Sequence, residues 1–114
     1  MIGIDIVDVA RIEAVTAKHG DRFLRKVFTD GEISYARGKR RWSESLAGRF
    51  AAKEAFMKAC GRRLPWRDIE VVSSGGAPSI NFQGKRFPDV SISHERAYAV
   101  AVVVMQERDS AGKG

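Results

Sequence analysis

The sequence predicts an α+β fold: an antiparallel sheet packed on one long buried helix, with shorter helices beside it. β-branched segments stand near both ends of the chain, Ile2 to Val9 and Val90 to Val104. A run of good helix formers, Ser43 to Cys60, lies between them. A Gly75-Gly76-Ala77-Pro78 turn separates two shorter strand-like pieces, as in a hairpin.

Ile2 to Val9 reads as a short strand broken by Asp5 and Asp8, so one face is wet, ion-facing or at an edge. Ala10 to His19 reads as a helix with Ile12 and Val15 turned inward and Gly20 ending it. Asp21 to Val27 reads as a second helix, with Phe23, Leu24 and Val27 inside and Arg22, Arg25 and Lys26 outside. Thr29 followed three residues later by Glu32 is a capping-box pattern and predicts a helix start. Gly38-Lys39-Arg40-Arg41 reads as a basic loop. In the Ser43–Cys60 helix, Leu46, Phe50 and Met57 share one stripe, Phe56 widens it and Gly61 ends the helix. A helix so apolar is mostly buried, which makes its few charges the informative residues. Asp68 to Ser73 and Ser79 to Phe82 form the hairpin strands, and the apolar run Val100 to Val104 predicts a central strand. The expected organisation is one domain over residues 1–109 and a disordered tail over 110–114.

With 114 residues, 44% hydrophobic and 30% charged, the chain has ordinary globular values that exclude wholesale disorder. No apolar run reaches the roughly 18 residues of a membrane span, so no membrane association is expected. The opening residues carry no basic stretch and an early acid, which argues against a secretory signal and makes the cytoplasm the expected compartment. A single cysteine, Cys60, excludes an internal disulfide framework and a multi-cysteine zinc site. The net charge of +6 and pI near 9.9 suit an anionic partner: nucleic acid, an acidic protein, anionic lipid or a phosphate-bearing small molecule. No Gly-x-Gly-x-x-Gly or Walker-type loop supports the common nucleotide-binding folds.

Four features could carry chemistry. Asp5, inside an apolar strand, is either an edge, capping or arginine-paired acid, or a metal- or phosphate-linked carboxylate. On the long helix Glu54 and Lys58 stand at i, i+4, and Arg49 and Lys53 do the same on a neighbouring face. Surface ion pairing is the plainer explanation. A carboxylate among three cations also suits a site that holds Mg²⁺ and phosphates together. His94 ends a short strand-like segment and is either a hydrogen-bonded structural histidine or part of a site, whereas His19 beside Gly20 reads as a helix-end residue. The Gly75-Gly76 turn either serves only the hairpin or offers amides to an anion.

Gly3-Ile4-Asp5-Ile6-Val7, Ala47-Gly48-Arg49-Phe50-Ala51-Ala52-Lys53-Glu54-Ala55-Phe56 and Val90-Ser91-Ile92-Ser93-His94, in this order and spacing, resemble the holo-[acyl-carrier-protein] synthase family of 4′-phosphopantetheinyl transferases. The likeness runs from Ile2 to about Val104, and the middle motif is the specific one. It implies transfer of the phosphopantetheine arm of coenzyme A to a serine of apo acyl carrier protein, in fatty acid biosynthesis, with release of adenosine 3′,5′-bisphosphate. It implies Mg²⁺ on Asp5 and Glu54, and Lys58 offsetting phosphate charge. Arg49 and Lys53 would take the pyrophosphate or 3′-phosphate, and Ser93 and His94 would line the coenzyme A site. Gly76 and Pro78 would lie near its adenine end. The serine's base is left open between His94 and Glu54 acting through water. An acidic carrier protein would dock on Arg11, Lys18, Arg22, Arg25 and Lys26. The family likeness also implies a homotrimer with sites between subunits.

The chain departs from the family in two places. The loop after Gly61 is several residues short and reads Arg62-Arg63-Leu64-Pro65-Trp66, so Arg62 or Arg63 would replace glycine-loop phosphate contacts. Ala77 stands where lysine is common. Two other functions are weighed against the transferase: a relaxed-specificity transferase for polyketide or peptide synthase carrier domains, and a small basic nucleic-acid-binding module. The second lacks any RNA-binding signature, so no nucleic-acid partner is expected.

Overall fold

The computed structural model describes residues 1–106. The predicted tail, residues 110–114, and residues 107–109 of the predicted domain lie outside the described residues. The elements run β1 (Ile2–Asp8), α1 (Val9–His19), α2 (Asp21–Val27), α3 (Asp30–Arg37) and α4 (Trp42–Cys60). A 3-10 turn (Trp66–Asp68) then leads to β2 (Ile69–Ser74), β3 (Ala77–Phe82), β4 (Lys85–Phe87), β5 (Val90–His94) and β6 (Tyr98–Val104). Pairing is antiparallel throughout and forms two three-stranded sheets, ordered β1-β6-β5 and β2-β3-β4. β6, the apolar run, is central as expected, and β1 is an edge strand. No helix among the described residues is long and apolar enough to cross a membrane.

Local chemistry explains the boundaries. Asp8 caps α1 by accepting from the Ala10 amide. Thr29 and Glu32 form the expected capping box at the start of α3. Gly61, at φ 77°, ends α4 in the left-handed conformation that glycine adopts without penalty. The β2–β3 turn is tighter than the sequence suggested. Gly75 and Gly76, at φ 58° and 85°, make a two-residue turn, and Pro78 falls inside β3 opposite Ser73. β4, with Phe87 its one apolar residue, gave no strand signal in the sequence and exists because the Gln83-Gly84 turn folds it back on β3.

α4 is the axis of the molecule. From Ser43 to Ala59 its residues are buried, apart from Phe50 and Glu54, which are half-buried, and Lys58, which is exposed. One side lies on the β1-β6-β5 sheet, whose inward residues include Gly3, Val7, Ala99, Ala101 and Val103. Another side meets the second sheet, where Phe56 packs edge-on against Phe82 and Phe87 at 5.5 and 5.1 Å between ring centres. Small residues on both surfaces let strand and helix approach closely. A Cβ built on Gly3 would stand 1.8 Å from the Ala55 carbonyl oxygen and 2.9 Å from the Ala59 amide nitrogen.

The core also holds an ion pair. Lys53 Nζ lies 2.7 Å from Glu32 Oε1, with both side chains at 0% exposure. Lys53 also donates to the Val27 and Trp66 carbonyls, and Glu32 accepts from the Thr29 and Val71 amides. The desolvated charges are thus paired and hydrogen-bonded, as burial requires. Burial holds the Lys53 ammonium below the usual lysine value, and the Glu32 charge opposes that shift.

Because β1 rests on backbone atoms of α4 at Gly3, Gly3→Ala forces the strand off the helix. It is expected to cost about 3 kcal/mol and to lower Tm by roughly 10 °C or more. A urea melt checks this, and an unchanged midpoint would mean that β1 does not sit on α4 as described.

Candidate active site

Strand alternation turns Asp5 toward α4. Its Oδ1 lies 3.1 Å from Lys58 Nζ, which also donates to the Ile4 carbonyl at 3.0 Å. Glu54 stands one turn before Lys58 on the same helix face and is held by Arg63, with 2.9 Å between Nη1 and Oε1. The two acids are half-buried, at 18% and 21% side-chain exposure, so solvent or a ligand can reach them. Arg63, in the shortened loop after Gly61, also lies over the Trp66 ring at 5.4 Å.

Among the described residues no group of three or more histidines, cysteines, aspartates or glutamates could hold a metal, so a metal here would have at most Asp5 and Glu54 as its protein ligands. Two hard oxygen donors fit Mg²⁺, which takes one or two carboxylates and fills its shell with water and substrate phosphates.

A cleft of about 570 Å³ opens at the other half of α4. Arg49, Lys39, Arg40 and Arg41 line it together with Tyr35, Ser73, Gly76, Pro78 and His94. Arg49 is 6% exposed and donates to Ser45 and Ser73 hydroxyls at 3.2 and 3.4 Å, while its buried Nε has no partner. Among the described residues no carboxylate forms an ion pair with it. Burial pulls the guanidinium below its usual value, opposed by Tyr35 and Glu32, yet an arginine so placed stays charged. The Tyr35 ring lies 4.2 Å from Arg49 and 4.4 Å from Lys39. Desolvation raises the Tyr35 phenol, but the hydrogen bond and charge of Lys39 and the charge of Arg49 outweigh it and lower the phenol overall. A buried, unpaired guanidinium among further cations is a seat for an anion.

His94 ends β5 at the rim of this cleft, with Nδ1 3.0 Å from Glu44 Oε1. Sequence reasoning missed Glu44, Tyr35 and the cleft-lining role of the 38–41 loop. Glu44 and Tyr35 look like ordinary helix-surface residues, and only the folding of β5 onto α4 reveals the first.

Several expected site residues are brought together and others are not. Asp5 meets Lys58, and Glu54 stands one turn before Lys58 on α4, while Arg49, Gly76, Pro78 and His94 share the cleft. Lys53 belongs to neither. The expectation that it reaches a phosphate is corrected: its ammonium is sealed in the core on Glu32. Helix geometry gives the reason, since about 100° per residue turns position 53 away from position 54. Ser93 also misses the cleft, because it alternates to the opposite sheet face from His94. The five basic residues Arg11, Lys18, Arg22, Arg25 and Lys26 are all exposed on α1 and α2, with Arg25 4.0 Å from Asp21.

The family model for the 4′-phosphopantetheinyl transferase superfamily matches residues 1–103. The chain belongs to the holo-[acyl-carrier-protein] synthase group of that superfamily, and it is a phosphopantetheinyl transferase. It is 38% identical over 120 residues to the holo-[acyl-carrier-protein] synthase of Thermus thermophilus, covering 97% of this chain and 96% of that protein. It is 46% identical over 121 residues to that of Halothermothrix orenii, covering 93% and 96%. Its fold is similar to the Helicobacter pylori holo-[acyl-carrier-protein] synthase in complex with coenzyme A, with a TM-score of 0.81, 36% identity and coverage of 91% of this chain and 98% of that one.

Placing Lys53 in the core has a measurable consequence for this transferase. Lys53→Met is expected to lower unfolding free energy by about 3–5 kcal/mol, because it leaves the Glu32 carboxylate buried without its cation. Chemical denaturation checks it, whereas a phosphate-contact role would leave the midpoint in place.

Proposed function

We propose that this enzyme transfers 4′-phosphopantetheine from coenzyme A to a serine of apo acyl carrier protein, releasing adenosine 3′,5′-bisphosphate. The contact of Asp5 on the first strand with Lys58 on the central helix, with Glu54 one turn before Lys58, carries this reading. The basic cleft supports it: Arg49, with an unpartnered buried Nε, and Lys39 suit the phosphates of the nucleotide end, and Gly76 and Pro78 suit its adenine. Mg²⁺ bound by Asp5 and Glu54 would supply charge neutralisation and Lewis-acid polarisation of the pyrophosphate. Lys58 offsets charge growing on the departing phosphate as the P–O bond to adenosine bisphosphate breaks. The serine oxygen forms the new P–O bond, and its proton passes to Glu54, directly or through one water. His94, anchored in the cleft by Glu44, is a nucleotide contact in this scheme rather than that base.

Within one chain the acids do not line the cleft, so the reading needs the two surfaces to be supplied by neighbouring copies. The outer face of the β1-β6-β5 sheet supports assembly. Ile2, Ile4 and Ile6 are 68%, 58% and 63% exposed, and they pair across the ladder with Val104, Val102 and Val100. A contiguous apolar face of this kind is an association surface. The homotrimer is the family's arrangement and would bury it, with Ser93 on the same face. The exposed α1 and α2 cations form the docking surface for an acidic carrier, which they steer electrostatically. The cytoplasm is the compartment that fits these substrates.

Mixing the protein with apo carrier, coenzyme A and Mg²⁺ is expected to add one phosphopantetheine mass to the carrier, read by mass spectrometry. Glu54→Gln should lower turnover by about 100-fold or more with the unfolding midpoint retained. Full activity would remove Glu54 from the site. Arg22→Glu with Arg25→Glu should raise KM for the carrier by roughly tenfold and leave that for coenzyme A within about twofold. Equal effects on both would overturn the docking surface.

A further inference from the structure

Glu44 touches neither substrate nor reacting atoms in the reaction proposed above, yet it is an unusual acid. It lies in the first turn of α4, where the helix N-terminus favours negative charge, and its side chain is 7% exposed. Its Oε1 is 3.0 Å from His94 Nδ1 and its Oε2 is 3.7 Å from Arg41 Nε. Gly48, one turn along the same face, makes this possible. A Cβ there would stand 3.0 Å from Ile92 Cγ2 and 3.9 Å from His94 Cδ2, so a side chain at 48 would press β5 away from the helix. Glu44 and Gly48 together seat His94: one spaces the strand and the other holds the ring.

A carboxylate can only accept, so the ring nitrogen facing it is the one that carries a proton. We propose that Glu44 is a positioning residue for His94, fixing the Nδ1–H tautomer and the ring's orientation so that Nε2 is presented to the anionic end of the donor nucleotide in the cleft. When Nε2 is also protonated it donates to a phosphate oxygen, and the Glu44 carboxylate offsets the ring's charge. Carboxylates behind functional imidazoles act in the same way. The ligand side of this inference rests on the coenzyme A reading, whereas the ring geometry does not.

The test therefore has two readouts on the full-length protein. The chain has two histidines, so His19→Gln leaves the ring-nitrogen NMR signals of His94 alone. With the ring neutral, the expected form is Nδ1–H. Glu44→Gln, whose amide oxygen still accepts, should keep it, and Glu44→Ala should release it to the Nε2–H form. An Nε2–H ring in the parent protein, or no change in Glu44→Ala, overturns the proposal. In steady-state assays Glu44→Ala should raise KM for coenzyme A by about tenfold, as should His94→Ala, with kcat within about twofold and with partial recovery in Glu44→Gln. The double variant should be no worse than either single one. Additive losses would mean that Glu44 acts independently of His94 and would overturn the proposal. If the parent protein fails to consume coenzyme A at all, the functional reading fails, and the ring-nitrogen result still decides the role of Glu44.

Discussion

The contact between β1 and α4 at Gly3 governs the geometry around it. A hydrogen in place of a methyl group lets the strand lie on the Ala55 carbonyl and the Ala59 amide, and alanines at 51, 52, 55 and 59 keep the helix surface low. Interiors pack at crystal-like density, so such a contact has little slack. From that seat, strand alternation points Asp5 at Lys58, and the Ile4 carbonyl receives the same ammonium. Asp5 is thus held by backbone packing rather than by its ion pair with Lys58, which exposure makes weak.

A second constraint lies on the far side of the same helix. Glu32 and Lys53 join the start of α3, the middle of α4, the end of α2 and strand β2 through one buried network. α3, α4 and β2 also carry Tyr35, Arg49 and Ser73, which form a wall of the cleft. An apolar pair of equal volume could match the network's stability. It could not match its directionality, since each hydrogen bond admits one relative placement of the elements it joins. The ion pair is thereby linked to the shape of the anion seat without touching it.

These two constraints give α4 two charged ends that face different ways. One meets the first strand and carries Glu54 and Lys58, while the other meets the hairpin and β5 and carries Arg49 and Glu44. In the proposed scheme each end holds one half of a large ligand's site, and the apolar outer sheet face would bring halves from separate copies together.

The sequence by itself determined most of the elements, β4 excepted, and most of their ends, because capping boxes, glycine stops and apolar periodicity act locally. Thr29 with Glu32, Gly61 after the long helix and the apolar run of β6 all behave as their patterns foretell. It also marked Asp5, Glu54 and Lys58 through a family likeness spanning most of the chain. The tertiary structure alone decided which charges reach solvent. Lys53 and Glu54 are neighbours in sequence, yet one is sealed in the core and the other opens to solvent, because a residue's face on a helix acquires meaning only from what packs against it. Likewise Glu44 and His94 are 50 residues apart and become a pair only when β5 closes over Gly48, a contact between distant segments that no local pattern encodes.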